Sequence, residues 1–260
     1  MPSILNIAAY HFAEVHSPQD LADKLHAKGT ELQLKGTILV SPEGLNCFLA
    51  GGEVQVRHMV NTLRGLPGFE KLVVKESWSV QVPFKRFKVK VKKEIIRMDH
   101  PTIRPAHGRA AAISPETLKR WLDQGHDDSG KLVVMLDTRN DFEVDHGRFA
   151  NAIDWRITKF TEFPAAVKVH QNELQDKTVV SYCTGGIRCE KAALFMNELG
   201  LNNVVQLDGG ILNYFEKTDG SHWEGSCFVF DERVGLLPSL EPEVTEAPEI
   251  SEGVLRTTSY

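Results

Sequence analysis

Cysteine is scarce in this chain. There are four among 260 residues, Cys47, Cys183, Cys189 and Cys227, and no two form a C-x-x-C pair. That spacing argues against a zinc site, and sparse free thiols fit a reducing cytoplasm. Long apolar runs are missing as well. Nothing approaches the ~20 apolar residues that span a bilayer, so no membrane association is expected. The first residues, Met1-Pro2-Ser3-Ile4-Leu5, lack a basic segment followed by an apolar run, so no secretory signal is expected. No flavin, iron or nicotinamide motif stands out, so no cofactor is evident, and no metal site is expected.

What is present is an ordinary globular balance, 42% hydrophobic and 25% charged, over a length that suits about two domains. The net charge of −5 is unevenly spread. Residues 1–100 carry 14 Lys and Arg against 10 Asp and Glu, and the remainder carries 16 against 25. The basic half is therefore the one to read for nucleic acid.

In that half, residues 4–12 read as a strand. Ser17-Pro18-Gln19-Asp20 reads as a helix start, with Ser as cap, Pro in the first turn and an acid beside it. Leu21 and Leu25 give that helix its apolar face, and Gly29 reads as its stop. Residues 36–40 and 45–50 form a hairpin around Ser41-Pro42-Glu43-Gly44. Val56, Met59, Val60 and Leu63 fall at helical spacing, and Leu72-Val73-Val74 opens another strand. The order β-α-β-β-α-β is the ferredoxin-like arrangement. A last strand, Phe87 to Val91, alternates apolar residues with lysines, which puts Lys88, Lys90 and Lys92 on one face, with Lys85 and Arg86 just before. Such a row is either a solvated edge that resists aggregation or a track for phosphates.

Residues 100–108 hold two prolines, His100 and His107, and no apolar period, as an interdomain linker does. Beyond it, Ser114-Pro115-Glu116 starts a helix with Leu118, Trp121 and Leu122 inward. Residues 132–136 are a wholly apolar run, the pattern of a central parallel strand. Strands and helices then alternate, which argues for a parallel α/β sheet with its ligand site beyond the carboxyl ends of the strands. Asp137, Cys183 and Asp208 all fall at such ends.

The stretch from Thr178 to Lys191 is the most informative. A β-branched run, Thr178-Val179-Val180-Ser181-Tyr182, leads into Cys183-Thr184-Gly185-Gly186-Ile187-Arg188-Cys189 and then a helix. A strand ending on a thiol, a glycine turn and a helix N-terminus aim several N–H groups at one point, an anion-binding concavity. Such surroundings lower a thiol from about 8.5 to somewhere between roughly 3.5 and 7.5. Cysteine phosphatases place their arginine six residues after the cysteine. Here Arg188 is five after, so the bidentate anion clamp is missing and a small adduct on sulfur suits the loop better. Arg188 either stabilises the thiolate, binds a phosphate, or is a surface cation. Cys189 is either a small core residue or a resolving thiol. Asp137 and Arg139 are read first as a buried salt bridge holding the strand-end loops. Cys47 and Cys227 are read as core.

The second half resembles a rhodanese domain at Asp137-Thr138-Arg139, at Cys183 to Cys189 and at Leu207-Asp208-Gly209-Gly210. The whole chain is similar to a narrower family, the bacterial rhodanese-domain tRNA uridine hydroxylases. The carrying segments are residues 34–46 (Leu34 to Asn46), 83–90 (Pro83 to Lys90), 183–191 and 227–233, in this order. The resemblance implies an oxidoreductase that makes 5-hydroxyuridine at the wobble position of tRNA, with Cys183 catalytic, molecular oxygen as co-substrate and tRNA as partner. Arg188, Gly185, Gly186, Cys189, Asp137 and Arg139 would support the site, and Lys85, Arg86, Lys88, Lys90 and Lys92 would contact RNA. Longer members continue into a cysteine-rich segment, where this chain has acids and no cysteine. Two other readings stand beside it: a sulfurtransferase carrying a Cys183 persulfide, and a non-catalytic, redox-sensing RNA-binding protein. The expected layout is a ferredoxin-like (acylphosphatase-like) α+β domain over residues 1–98 and a linker over 99–112. A rhodanese-like α/β domain with a parallel sheet follows over 113–238, then an acidic flexible tail over 239–260.

Overall fold

The computed structural model describes residues 3–243. The first sheet holds β1 (Ile4–Phe12), β2 (Lys35–Ser41), β3 (Gly44–Gly52), β4 (Val74–Ser79) and β5 (Phe87–Val91), with α1 (Pro18–Glu31) and α2 (Glu53–Arg64) between them. The spatial order is β4-β1-β3-β2-β5, with β5 parallel to β2 and the other pairs antiparallel. This is the expected βαββαβ arrangement with one added edge strand.

The strand period decides which face does what. Leu5, Ile7 and Ala9 of β1 pack with Leu45, Cys47 and Leu49 of β3 and with Leu25, Val56, Met59 and Leu63 of the two helices. The alternate residues, Asn6, Ala8, Tyr10 and Phe12, face away from the helices. Residues directly paired across antiparallel strands share a face, so Asn46 and Phe48 of β3 and Lys75 and Ser77 of β4 look out on that same side.

Helix α1 does not stop at Gly29 as its sequence suggested but runs to Glu31. An ideal Cβ on Gly29 would stand 2.1 Å from the ring of Phe87. The glycine is there so that β5 can dock against the helix, a tertiary demand invisible in local sequence. The Ser17 side chain makes no capping hydrogen bond, whereas Ser114 Oγ accepts from the Thr117 N–H at 3.2 Å.

The second sheet is parallel, in the order β6 (Ala112–Ile113), β10 (Val204–Leu207), β9 (Thr178–Tyr182), β7 (Val133–Asp137). Around it lie α3 (Pro115–Gln124), α4 (Asp141–Val144), the short β8 (Gly147–Phe149), α5 (Phe163–His170), α6 (Ile187–Glu198) and α7 (Gly210–Lys217). All five residues of β9 are buried, as a central strand covered on both faces requires. The linker is less free than its prolines suggested: Ile103 and Ala110, like Met98 just before it, are buried in the second core, and Ala112 already belongs to β6. His107 Nε2 lies 3.2 Å from Glu14 Oε1, and His100 Nδ1 3.0 Å from Thr102 Oγ1.

The part of the expected tail that lies within the described residues is packed on the second domain. Leu240 packs on the second core, and Glu243 accepts a hydrogen bond from Ser226 Oγ at 2.7 Å. Residues 244–260 lie outside the described residues. No helix among the described residues is long and apolar enough to cross a membrane.

Candidate active site

Cys183 follows the last residue of β9 and is fully buried. Its turn is held from behind by the start of α7: the Cys183 carbonyl accepts from the Ile211 N–H at 3.0 Å and the Thr184 carbonyl from the Leu212 N–H at 3.1 Å. With those carbonyls drawn away, N–H groups face the sulfur. The Gly186 N–H donates to Cys183 Sγ at 3.1 Å. Two glycines are required. Gly186 adopts φ +99° as the cap of α6. Gly210, at φ +67°, leaves no room for a side chain, since a Cβ would stand 2.3 Å from the Cys183 oxygen and 2.7 Å from the Gly186 nitrogen. The late Gly-Gly of the sequence is thus the backing of the cysteine turn.

Burial raises the Cys183 thiol, but the hydrogen bond from Cys189, the Arg188 charge and the N–H groups of Arg188 and Gly186 outweigh it and lower the thiol to about 5. Cys189 goes the other way. Burial and the neighbouring Cys183 sulfur push it well up, so it stays a neutral S–H beside the thiolate. Its sulfur is also 3.6 Å from Thr138 Oγ1. Cys47 and Cys227 are buried and raised to about 12 by desolvation, inert core thiols as expected. Since lowering the pH protonates a thiolate, the ultraviolet thiolate signal of Cys183, read as a difference against Cys183→Ser, should vanish through a midpoint near 5. A midpoint in the range of a free thiol, about 8.5, would contradict this environment.

The first turn of α6 is buried and charged. Arg188 is 6% exposed, Glu190 3% and Lys191 1%, and each has a partner on a different element. Arg188 makes two hydrogen bonds to the Glu143 carboxylate, at 2.6 and 2.7 Å. Its remaining Nε–H has no partner among the described residues. Arg188 is therefore neither a surface cation nor a free phosphate clamp; its fork is taken by Glu143 while its charge stays beside the sulfur. Glu190 accepts from Arg109 Nε at 2.7 Å, Gln206 Nε2 at 2.9 Å and the Tyr10 hydroxyl at 3.2 Å. Lys191 Nζ reaches Glu43 at 2.8 Å, Glu94 at 2.6 Å and the Ile96 carbonyl at 2.9 Å. Tyr10, Glu43 and Glu94 belong to the first domain or its exit, so the cysteine helix is also the joint between domains.

Asp137 and Arg139 form the buried pair expected of them, fully enclosed and 2.7 Å apart. Arg139 also donates to the carbonyls of Glu143 at 3.2 Å and Gly147 at 2.6 Å. The pair braces the loop that carries Glu143 and does not reach the sulfur. Gly185 has open space where a side chain would stand.

The outward face of the first sheet lies over this turn. A Cβ on Gly186 would be 2.9 Å from the Tyr10 hydroxyl. An interdomain cleft is lined by Asn6, Phe48, Lys75 and Phe84 from one side and by Thr184, Leu212, Val229 and Arg233 from the other. Arg233 ties the far wall to the first domain through Ser77 Oγ at 2.8 Å. The lysine row points the same way. Lys88 pairs with Thr37, Thr37 with Phe48, Phe48 with Ala8 and Ala8 with Lys75; Lys90 leads likewise through Leu39 and Asn46 to Tyr10. At about 4.8 Å per strand, these rows run roughly 15–20 Å from the β5 edge to the cysteine turn. Lys88 and Lys90 are exposed on this face, and Lys92 sits just past the strand. Lys85 differs, lying 3.5 Å from Glu232 of the second domain, and Arg86 is exposed beside it.

Sequence reasoning missed Tyr10, Lys75, Arg109, Glu143 and the Glu43–Lys191–Glu94 trio. Only the adjacent charges Glu190-Lys191, set where an apolar-facing helix begins, hinted at them. Among the described residues no three His, Cys, Asp or Glu side chains gather as a metal site.

These features define a class: an acylphosphatase-like domain joined to a rhodanese-like domain whose cysteine turn faces the seam. Residues 4–95 match the UPF0176 acylphosphatase-like domain and residues 114–217 the rhodanese-like domain. The chain is 61% identical over 233 residues to the tRNA uridine(34) hydroxylase of Delftia acidovorans, covering 90% of this chain and 89% of that one. It is 57% identical over 247 residues to the protein of that name in Variovorax paradoxus, covering 95% and 94%. To the one in Bordetella pertussis it is 54% identical, covering 94% and 100%. The chain belongs to the tRNA uridine(34) hydroxylase family.

Proposed function

We propose that this protein hydroxylates uridine 34 of tRNA to 5-hydroxyuridine, with Cys183 as catalytic residue and molecular oxygen as co-substrate. The observation that carries the reading is the buried thiolate turn facing an interdomain cleft, with two rows of residues leading to it from exposed lysines. A thiolate there is a strong nucleophile. Arg188 and Cys189 keep it ionised, and Glu143, Asp137 and Arg139 keep Arg188 in place. Gly185 and Gly186 shape the turn. Lys88 and Lys90, with Lys92 and Arg86 beside them, take RNA phosphates. Lys85 contributes less, being shared with Glu232.

The test is nucleoside mass spectrometry of tRNA from cells with and without the gene. Loss of 5-hydroxyuridine and of nucleosides built on it is expected; an unchanged profile would overturn the reading. The lysine rows make a separate prediction. Replacing Lys88 and Lys90 together with Gln should weaken tRNA binding and lower the slope of log affinity against log salt by about 1.4, near 0.7 for each phosphate of single-stranded RNA left without its lysine. An unaltered slope would return both lysines to the role of a solvated edge.

A further inference from the structure

We propose that Lys75, on β4 of the first domain, is a positioning residue for Cys183. Its ammonium stands across the seam from the cysteine turn and supports the thiolate, so the ionised thiol belongs to both domains together. The inference rests on Cys183 being the reactive residue.

The geometry is specific. Lys75 pairs in register with Ala8, which puts its side chain on the outward face beside Tyr10. Its Nζ lies 5.5 Å from the centre of the Tyr10 ring, and the Tyr10 hydroxyl in turn touches the space over Gly186. Lys75 lines the cleft together with Thr184, the residue after the cysteine. It is half-buried, yet among the described residues its ammonium makes no hydrogen bond or ion pair.

That sets it apart from the other cations around the site. Arg109, Arg139, Arg188, Lys191 and Arg233 each hold a carboxylate. A cation withdrawn from water without a carboxylate is costly unless another anion compensates it. The anion at hand is the Cys183 thiolate. Burial lowers the Lys75 ammonium; of the groups that hold its charge, Cys183 comes first, ahead of Asp208 and Glu216, while Arg109 opposes them. Arg188 also faces the sulfur, but its charge is shared with Glu143. Among the described residues, Lys75 is a cation near the turn whose charge no carboxylate neutralises through direct contact.

The experiment is a thiolate titration by ultraviolet absorbance on the full-length protein. It compares wild type, Lys75→Met and Lys75→Arg, each referenced to its own Cys183→Ser partner. Lys75→Met is expected to raise the Cys183 midpoint by about half to one pH unit, and Lys75→Arg to restore it. The acid limb of the tRNA hydroxylation rate at saturating tRNA should move by the same amount. An unmoved midpoint in a folded Lys75→Met protein overturns the proposal. So does a rate loss of equal size at every pH, which would mark a structural role. The titration needs no tRNA, so its outcome is separate from that of the proposed reaction, which Cys183→Ala tests.

Discussion

Cys183→Ala is expected to lower 5-hydroxyuridine formation by at least about a thousandfold, the scale seen when an enzyme's nucleophile is removed. The side chain is small and enclosed, so the truncation leaves only a small cavity. The turn around it is held by backbone contacts that the substitution does not touch: Ile211 N–H to the Cys183 carbonyl, Leu212 N–H to the Thr184 carbonyl, and the close seat of Gly210. Folding and tRNA binding should survive while chemistry does not. Cys183→Ser should fail as well, because a hydroxyl in this site does not ionise near neutral pH as the thiol does. The measurement is nucleoside mass spectrometry of tRNA from a deletion strain carrying each variant. Retained modification with Cys183→Ala would remove the cysteine from the mechanism and leave the turn as a scaffold.

The largest stability effect is expected at Lys191. Lys191 is 1% exposed, and its ammonium sits between Glu43 and Glu94, which come from the hairpin turn and the segment after β5 of the other domain. Replacing it with Met keeps most of the volume but strands two carboxylates at a buried seam. Removing one partner from a buried ionic group costs about 3–5 kcal/mol, mainly because the other charge is left uncompensated. Burial already raises Glu43 even with Lys191 beside it, so Glu43 should take up a proton once the lysine is gone. Urea unfolding of Lys191→Met should show the loss, less severe at acid pH, where the raised Glu43 carboxyl is neutral. The triple variant Lys191→Met, Glu43→Gln, Glu94→Gln should recover much of it. A Lys191→Met protein within about 1 kcal/mol of wild type, at the level of an exposed ion pair, would show that the seam is held by something else.

The two predictions meet at the first turn of α6, which touches Cys183 on one side and carries Lys191 on another. Residues 188–191 are Arg-Cys-Glu-Lys, and each side chain looks in a different direction. Arg188 goes to Glu143, Cys189 to Cys183 and Thr138, Glu190 to Arg109 and Gln206, Lys191 to the first domain. A turn of helix advances about 100° per residue, so four consecutive residues sample all sides. This is why the motif reads as an unbroken run in sequence, with no periodic gap for solvent-facing positions. Tyr10 adds a second tie across the seam through Glu190. Docking of the domains and ionisation of the thiol are consequently built from neighbouring residues.

Much of the architecture was legible from local pattern. The period-2 run at residues 4–12, the Ser-Pro-x-Asp helix start, the Pro-Glu hairpin and the apolar run before Asp137 each correspond to an observed element. Hydrophobic period and turn chemistry are local properties, so they survive without a partner in view. The cysteine turn was legible for the same reason: strand, thiol, glycines and helix start are contiguous. The salt bridge of Asp137 and Arg139 was legible because the two are separated by one residue at a strand end.

What local pattern did not show depended on partners far along the chain. Gly29 looked like a helix stop and is a seat for Phe87, from a strand on the far side of the domain's sequence. Lys85 looked like part of the basic row and faces Glu232. Arg188 reads as supporting the thiolate or binding a phosphate, and its fork is taken by Glu143, 45 residues before it, while its charge stays beside the sulfur. No local signal distinguishes these cases, because a side chain's charge and shape do not say which surface it will meet.

By itself, then, the sequence determined the elements, the two-domain order, the cysteine turn and the lysine period, since each is written in spacing along the chain. Tertiary structure alone decided that the open face of the first sheet lies over that turn, that the Tyr10 hydroxyl stands over Gly186 and Lys75 lines the cleft with Thr184, and that Lys191 bolts the domains together. The physical reason is that burial and charge compensation are settled between surfaces. A lysine on an edge strand, a buried cysteine and a glutamate in a hairpin turn acquire their roles only when packing brings them within reach of one another.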